Sequence, residues 1–248
     1  MKDTSMIFGL HAVMEAIRSD REIDTIYIRR ELQSELAKEL QAAIKDKNIT
    51  VRRVPVERLN RITRKNHQGV IAFLQLVPYQ RLDDILPFVY EQGRSPFIVI
   101  LDGVTDVRNF GAIARTCECA GVDALVIPAR GSAAISADAI QTSAGALHTL
   151  PVCREPGISE AIRLLHDHGV MVVAATENAA DVHTGLAVGH SPVAILMGSE
   201  DAGIAPAHLR MADRTVRIPI YGNIQSLNVS VAASILIYEV VRQRNRAE

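Results

Sequence analysis

The sequence predicts an α/β protein of two domains, a small one over residues 1–76 and a larger one over 96–248 built on a parallel sheet. Three observations carry this. Short β-branched runs alternate with helical stretches after residue 96, as strands covered on both faces do. Before residue 77, a compact alternation of helix and strand patterns is long enough to fold alone. Between them, Pro78, Pro87, Gly93 and Pro96 punctuate a stretch without a strand pattern, so 77–95 reads as a linker.

In the first domain the pattern gives a helix over 10–19 and a strand over 25–29. Leu32, Leu36, Leu40 and Ile44 recur every four residues with charges between them, the mark of an amphipathic helix. A strand over 49–54, a helix over 56–62 and an apolar strand over 70–76 follow. In the second domain strands are predicted at 97–101, 124–127, 170–175, 193–197 and 216–220, and a last helix at 228–244.

Charge is distributed unevenly. The whole chain of 248 residues carries a net charge of −1, but residues 1–76 hold 14 Lys and Arg against 10 Asp and Glu, a net of +4 that leaves −5 for the rest. The excess gathers in 51–65, where Arg52, Arg53, Arg58, Arg61, Arg64 and Lys65 face one acid, Glu57. Such a patch suits a polyanion, although a solvated surface would look the same. No apolar run approaches the ~20 residues of a membrane span. The first residues are interrupted by His11 and Glu15 and lack the apolar core of a secretory signal, so a cytoplasmic protein is expected. Cys117, Cys119 and Cys153 make neither an even disulfide set nor a C-x-x-C pair and read as buried, reduced thiols. The eight histidines show no metal-ligand spacing, and no metal is expected.

In an open parallel sheet ligands bind beyond the carboxyl ends of the strands, so three loops carry the functional reading. The first runs from Asp102 to Gly111 and enters a helix bearing Arg115. It lacks the G-x-G-x-x-G of a dinucleotide site, which disfavours a nucleotide-dependent oxidoreductase. Asn109 could serve only as a helix cap, and Arg115 could pair with Glu118 on the next turn. The second loop, Gly198-Ser199-Glu200-Asp201-Ala202-Gly203, is either a plain turn or a backbone cradle with a carboxylate at Glu200. The third runs from Ile218 through Ser226-Leu227-Asn228, where either polar residue could cap the last helix. A pocket shared by these loops would offer backbone groups and apolar walls, a better match to an adenosyl group than to a triphosphate.

Together the segments Asn109-Phe110-Gly111-Ala112-Ile113-Ala114-Arg115-Thr116, Met197-Gly198-Ser199-Glu200-Asp201-Ala202-Gly203-Ile204, and Ile218-Pro219-Ile220 with Ser226-Leu227-Asn228-Val229-Ser230-Val231-Ala232 closely resemble the SpoU branch of the SPOUT RNA methyltransferases. Phe8-Gly9-Leu10-His11-Ala12-Val13 and Asn66-His67-Gln68-Gly69-Val70 are similar to the L30e-like substrate-binding domain of members acting on 23S ribosomal RNA. The resemblance implies a trefoil knot in the second domain, S-adenosylmethionine as methyl donor, a homodimer, and 2′-O-methylation of a ribose, with guanosine of 23S ribosomal RNA as target. A transfer-RNA target or a catalytically inactive RNA-binding paralogue are the alternatives.

By the same resemblance Gly198, Ser199, Gly203, Ile218, Ile220 and Leu227, with Thr176 at a neighbouring strand end, hold the donor. Arg115, Asn109, Glu200, Ser226 and Asn228 form the catalytic group. Arg61, Arg64, His67, Gln68 and Arg108 meet RNA. Arg115 is expected to bind phosphate and ribose and to stabilise developing alkoxide charge, because a guanidinium is a poor base near neutral pH. Proton removal then falls to water, Glu200 or a transiently neutral Arg115. With no Trp and 4% aromatic residues, extensive base stacking is not expected to dominate RNA affinity.

Overall fold

The computed structural model describes residues 6–19, 21–45 and 49–245. It divides into a unit ending at Leu76 and one beginning at Val77.

The first unit runs β1 (Met6–Phe8), α1 (Leu10–Arg18), β2 (Ile23–Arg29), α2 (Glu35–Ile44), β3 (Thr50–Val54), α3 (Val56–Ile62) and β4 (Val70–Leu74). Its sheet has the order β1-β4-β2-β3, parallel only between β2 and β3. One sheet face buries Ile26, Ile28, Val70 and Ala72 beneath α1 and α2, and the other packs Ile71 and Val54 against Leu59 of α3. The four-residue repeat that begins at Leu32 is helical only from Glu35. Ser34 caps α2 by accepting from the Ala37 amide at 3.2 Å, and Leu32 stays buried in the approach.

The second unit runs β5 (Tyr79–Gln80), α4 (Leu82–Glu91), β6 (Phe97–Asp102), α5 (Val107–Cys119), β7 (Ala124–Pro128), α6 (Ala137–Thr142), β8 (Val152–Glu155), α7 (Ile158–Asp167), β9 (Met171–Ala175), β10 (Asp181–Val182), β11 (Val193–Gly198), α8 (Pro206–Leu209), β12 (Arg214–Arg217) and α9 (Val229–Arg244). All strand pairs in the sheet are parallel, in the order β10-β12-β9-β11-β6-β7-β8-β5. On one face α4 and α7 bury Leu82, Leu86, Ile162 and Leu165 against Ile100, Val126 and Leu196. Strand side chains alternate, so Val99, Leu101 and Ile195 point the other way, toward the side where α5 and α9 pack on each other and on β7 and β11.

The expected linker at 77–95 is corrected here. Residues Leu82–Glu91 form α4 despite Pro87, because Leu82, Ile85, Leu86 and Val89 line one buried stripe whose packing outweighs the hydrogen bond that proline forfeits. The strand expected at 216–220 lies two residues earlier and ends at Arg217, ahead of Pro219. Among the cysteines, Cys117 and Cys153 are buried, but Cys119 is exposed at the end of α5, which corrects the reading of all three as buried. Among the described residues no helix is long and apolar enough to cross a membrane.

Candidate methyl-donor and RNA site

Gly198 ends β11 directly beside Asp102, which ends β6. The chain then turns back on itself: Ser199 and Gly203 exchange two backbone hydrogen bonds, at 3.1 and 3.0 Å, and Ser199 Oγ accepts from the Ala202 amide at 3.1 Å. Gly203 takes a positive φ of 65°. Gly198 is required for a different reason, since a Cβ there would collide with the Gly203 carbonyl carbon and the Ile204 nitrogen. A second fastening comes from Asp102, whose Oδ2 accepts from the Ala205 amide at 2.9 Å and lies 2.7 Å from His208 Nδ1.

This turn and the segment leading into α9 enclose one cavity of about 350 Å³. Thr176, Gly198, Ser199, Glu200, Gly203, Ile218, Ile220, Ser226 and Leu227 all line it. So do Glu177 and Gln225, two polar residues that the sequence reading missed because each sits in an unpatterned loop. The size lies at the lower end of small-ligand pockets, and the mixture of backbone groups, hydroxyls and aliphatic walls fits an adenosyl ligand.

At the edge of the cavity the three loops meet. The Asn228 side-chain amide donates to Asn109 Oδ1 at 3.0 Å and also to Glu200 Oε1. Glu200 Oε1 further accepts from the Val229 amide at 3.3 Å. Asn228 caps α9 through Ser230, as one of the two candidate caps was expected to do. Asn109 is not the cap of α5. Asp106 is, accepting from the amides of Arg108 and Asn109 at 2.9 and 2.8 Å, which leaves the Asn109 side chain free to face Asn228.

Arg115 is exposed on α5 and does not line the cavity. It forms no ion pair with Glu118 among the described residues, so that reading of it is set aside. Next to it, Thr116 Oγ1 lies 3.1 Å from Ser234 Oγ and ties α5 to α9. Gly111 lets α6 come close, since a Cβ there would stand 2.8 Å from the Ala139 carbonyl. Arg108, one turn before Gly111's end of the contact, lines a separate polar cavity of about 420 Å³ with Thr105, Asp138 and Gln141.

The far end of α9 is fixed by charge and amide contacts. Glu239 is bonded by Arg242 and Gln243, which hold its carboxyl below the ordinary range despite burial. Gln243 in turn binds Leu186 and Val188.

In the first unit Arg61 and Arg64 are exposed, as a polyanion contact requires. His67 is corrected: it is buried, its Nδ1 accepts from the Gly69 amide at 3.0 Å, and its Nε2 faces Asn60 Oδ1 at 2.9 Å. Both ring nitrogens are engaged, so His67 shapes the turn and does not reach a ligand. Gln68, at φ 50°, uses its side-chain oxygen to accept from the Leu10 amide at 3.1 Å, joining the two sequence motifs of this unit.

The fold and this cavity define a parallel-sheet protein with a small-ligand site at the carboxyl ends of its strands. Residues 96–238 match the SpoU rRNA Methylase family, and residues 6–80 match the RNA 2′-O ribose methyltransferase substrate-binding family. A protein of Staphylococcus haemolyticus assigned to the TrmH family of tRNA/rRNA methyltransferases is 34% identical over 97% of this chain and 96% of its own. The solved AdoMet-bound rRNA methyltransferase of Sinorhizobium meliloti superposes with a TM-score of 0.62 at 28% identity, covering 96% of this chain and 87% of that one. The TrmH/SpoU tRNA-modifying enzyme of A. aeolicus gives 0.56 at 29% identity, covering 66% of this chain and 85% of that one. The chain belongs to the SpoU rRNA Methylase family, RNA 2′-O-methyltransferases whose methyl donor is S-adenosylmethionine.

Proposed function

We propose that this protein methylates the 2′-hydroxyl of a guanosine in 23S ribosomal RNA, as a cytoplasmic homodimer with a knotted second domain. The observation that carries the reading is the junction of Asn109, Glu200 and Asn228 at the edge of the cavity. When bound, S-adenosylmethionine supplies an electrophilic methyl group. The chain's own part is to hold and orient. Gly198, Ser199, Gly203, Ile218, Ile220, Leu227 and Thr176 hold the donor, and Ser226, Asn109 and Asn228 orient the ribose beside it, where positioning supplies much of the rate. Arg115 binds phosphate and steadies developing negative charge on the 2′-oxygen. Arg61, Arg64, Arg108 and Gln68 take the RNA backbone.

Ribosomal over transfer RNA is supported by coverage: the rRNA methyltransferase of S. meliloti aligns along 96% of this chain, the tRNA-modifying enzyme of A. aeolicus along 66%. The dimer is supported by exposed apolar side chains: Tyr221 is 96% and Ile224 77% exposed on the segment leading into α9, and Val231 and Tyr238 are exposed on α9 itself. Mapping 2′-O-methylation on ribosomal and transfer RNA from cells lacking the gene tests the reading. Loss of a mark on a 23S guanosine is expected, and an unchanged ribosomal RNA map with a lost transfer-RNA mark overturns it.

A further inference from the structure

The sheet of the first unit has one face that α3 covers only in part. Its register sets Phe8, Ile71, Tyr27 and Arg52 in one row across all four strands, with Met6, Phe73, Thr25 and Thr50 in the next. Both rows point to the same side, because residues two apart along a strand share a face. Leu59 of α3 seals Ile71 and Val54 in the middle, while Phe8, Tyr27 and Phe73 stay half-buried around them. In a chain with ten Phe and Tyr and no Trp, three on one small face is a concentration.

Cations lie on these rings. The Arg58 guanidinium is 5.5 Å from the centre of the Tyr27 ring, and Lys65 Nζ is 5.4 Å from that of Phe8. Phe73 meets Tyr27 edge-on at 5.4 Å and fixes its orientation. A guanidinium lying on an aromatic ring is held in place with its outer face free, and that plane accepts a stacked base while its N–H groups remain available to phosphate. Phe8 and Tyr27 are two strand spacings apart, about 10 Å. The exposed Arg52, Arg53, Arg61 and Arg64 add positive charge around the same elements.

We propose that this face is a stacking platform for single-stranded RNA, with Arg58 on Tyr27 taking a base and Lys65 on Phe8 taking phosphate. The proposal rests on the RNA-modifying role above and adds to it the strandedness of the RNA that this unit grips. A duplex keeps its bases stacked on each other and offers none to the platform.

The test uses the full chain, a fluorescein-labelled single-stranded oligoribonucleotide of mixed sequence, and the duplex of the same sequence. Arg58→Lys keeps the charge and removes the plane. The parent should favour the single strand, and Arg58→Lys should weaken that binding about tenfold with an unchanged salt slope, leaving duplex binding alone. Tyr27→Leu, which keeps an apolar side chain at that position, should act in the same direction. Parent-like binding by Arg58→Lys, or equal parental affinity for duplex and single strand, overturns the platform. Methyl transfer to ribosomal RNA by the parent is measured alongside: its absence counts against the activity, whereas intact transfer with parent-like Arg58→Lys binding counts against the platform alone.

Discussion

The side-chain amide of Asn228 stands 3.0 Å from Asn109 Oδ1, joining the first turn of α5 to the cap of α9 across 119 residues of sequence. The same nitrogen donates to Glu200, so one amide group fastens all three loops.

That double duty can be separated by substitution. Ser is as good a helix cap as Asn, so Asn228→Ser should melt within a degree or so of the parent, while Asn228→Ala should cost about 1 kcal/mol, or ~2–4 °C. Both lose the bridge to Asn109 and Glu200, whose bonds are exposed and add little to stability but hold the three loops in register. Methyl transfer should therefore fall on the order of tenfold or more in both, as measured by single-turnover kinetics. Full activity in Asn228→Ser would show that the cap alone matters.

The turn at Gly198 makes a steric prediction. Gly198→Ala places a Cβ against the Gly203 carbonyl carbon and the Ile204 nitrogen, so the turn must open. Overpacking of this kind costs ~1–3 kcal/mol. Donor binding by calorimetry should weaken at least tenfold. Gly185→Ala is the control, because nothing lies within 4 Å of a Cβ built there. Equal donor affinity in the two variants would mean that the turn does not shape the cavity.

Much of this site was legible in the sequence, but its connections were not. Each of Asn109, Glu200 and Asn228 reads alone as a cap or a turn residue, and only the fold makes them one junction. Asp102 read only as the start of the first loop and His208 gave no signal, and their contact becomes visible only once β6 and β11 lie side by side and α8 follows the turn. The periodicity exposed α1, α2 and α3 because their apolar stripes are regular. It concealed α4 because Pro87 broke the local pattern that buried Leu82, Leu86 and Val89 restore in three dimensions. β8 escaped for a similar reason: Pro151 and Pro156 flank it, and Arg154 and Glu155 make up half its length. The strand order, in which β11 lies between β9 and β6, is a matter of crossovers that no local pattern encodes.

Arg115 is exposed and contributes little to folding, which makes its variants clean probes. Arg115→Lys and Arg115→Ala should melt within about 0.5 kcal/mol of the parent. If the guanidinium steadies charge on the 2′-oxygen, turnover should fall on the order of a hundredfold in both, since an ammonium cannot supply the paired N–H geometry. Donor affinity should be unchanged, because Arg115 does not line the cavity. Near-normal turnover in Arg115→Lys would reduce its role to charge alone.

The thiols give a prediction about pH. Burial pushes the Cys153 thiol up from 9.0 to about 12, helped by the nearby negative charges of Glu155 and Asp84, and burial also raises Cys117. In the unfolded chain these thiols ionise near 9.0, whereas in the folded chain they stay protonated. The stability they contribute is therefore complete below pH 9.0 and is lost as pH rises toward about 12, at up to ~1.4 kcal/mol per pH unit per thiol. Melting temperatures should decline across that interval, and Cys153→Ala should flatten the slope while lowering stability at neutral pH through the cavity it leaves. Cys119, exposed at the end of α5, should alone react quickly with a thiol reagent in the native protein, and Cys119→Ser should abolish that fast phase. Fast reaction of all three thiols without denaturant would mean that β8 and α5 open far more readily than their buried packing allows.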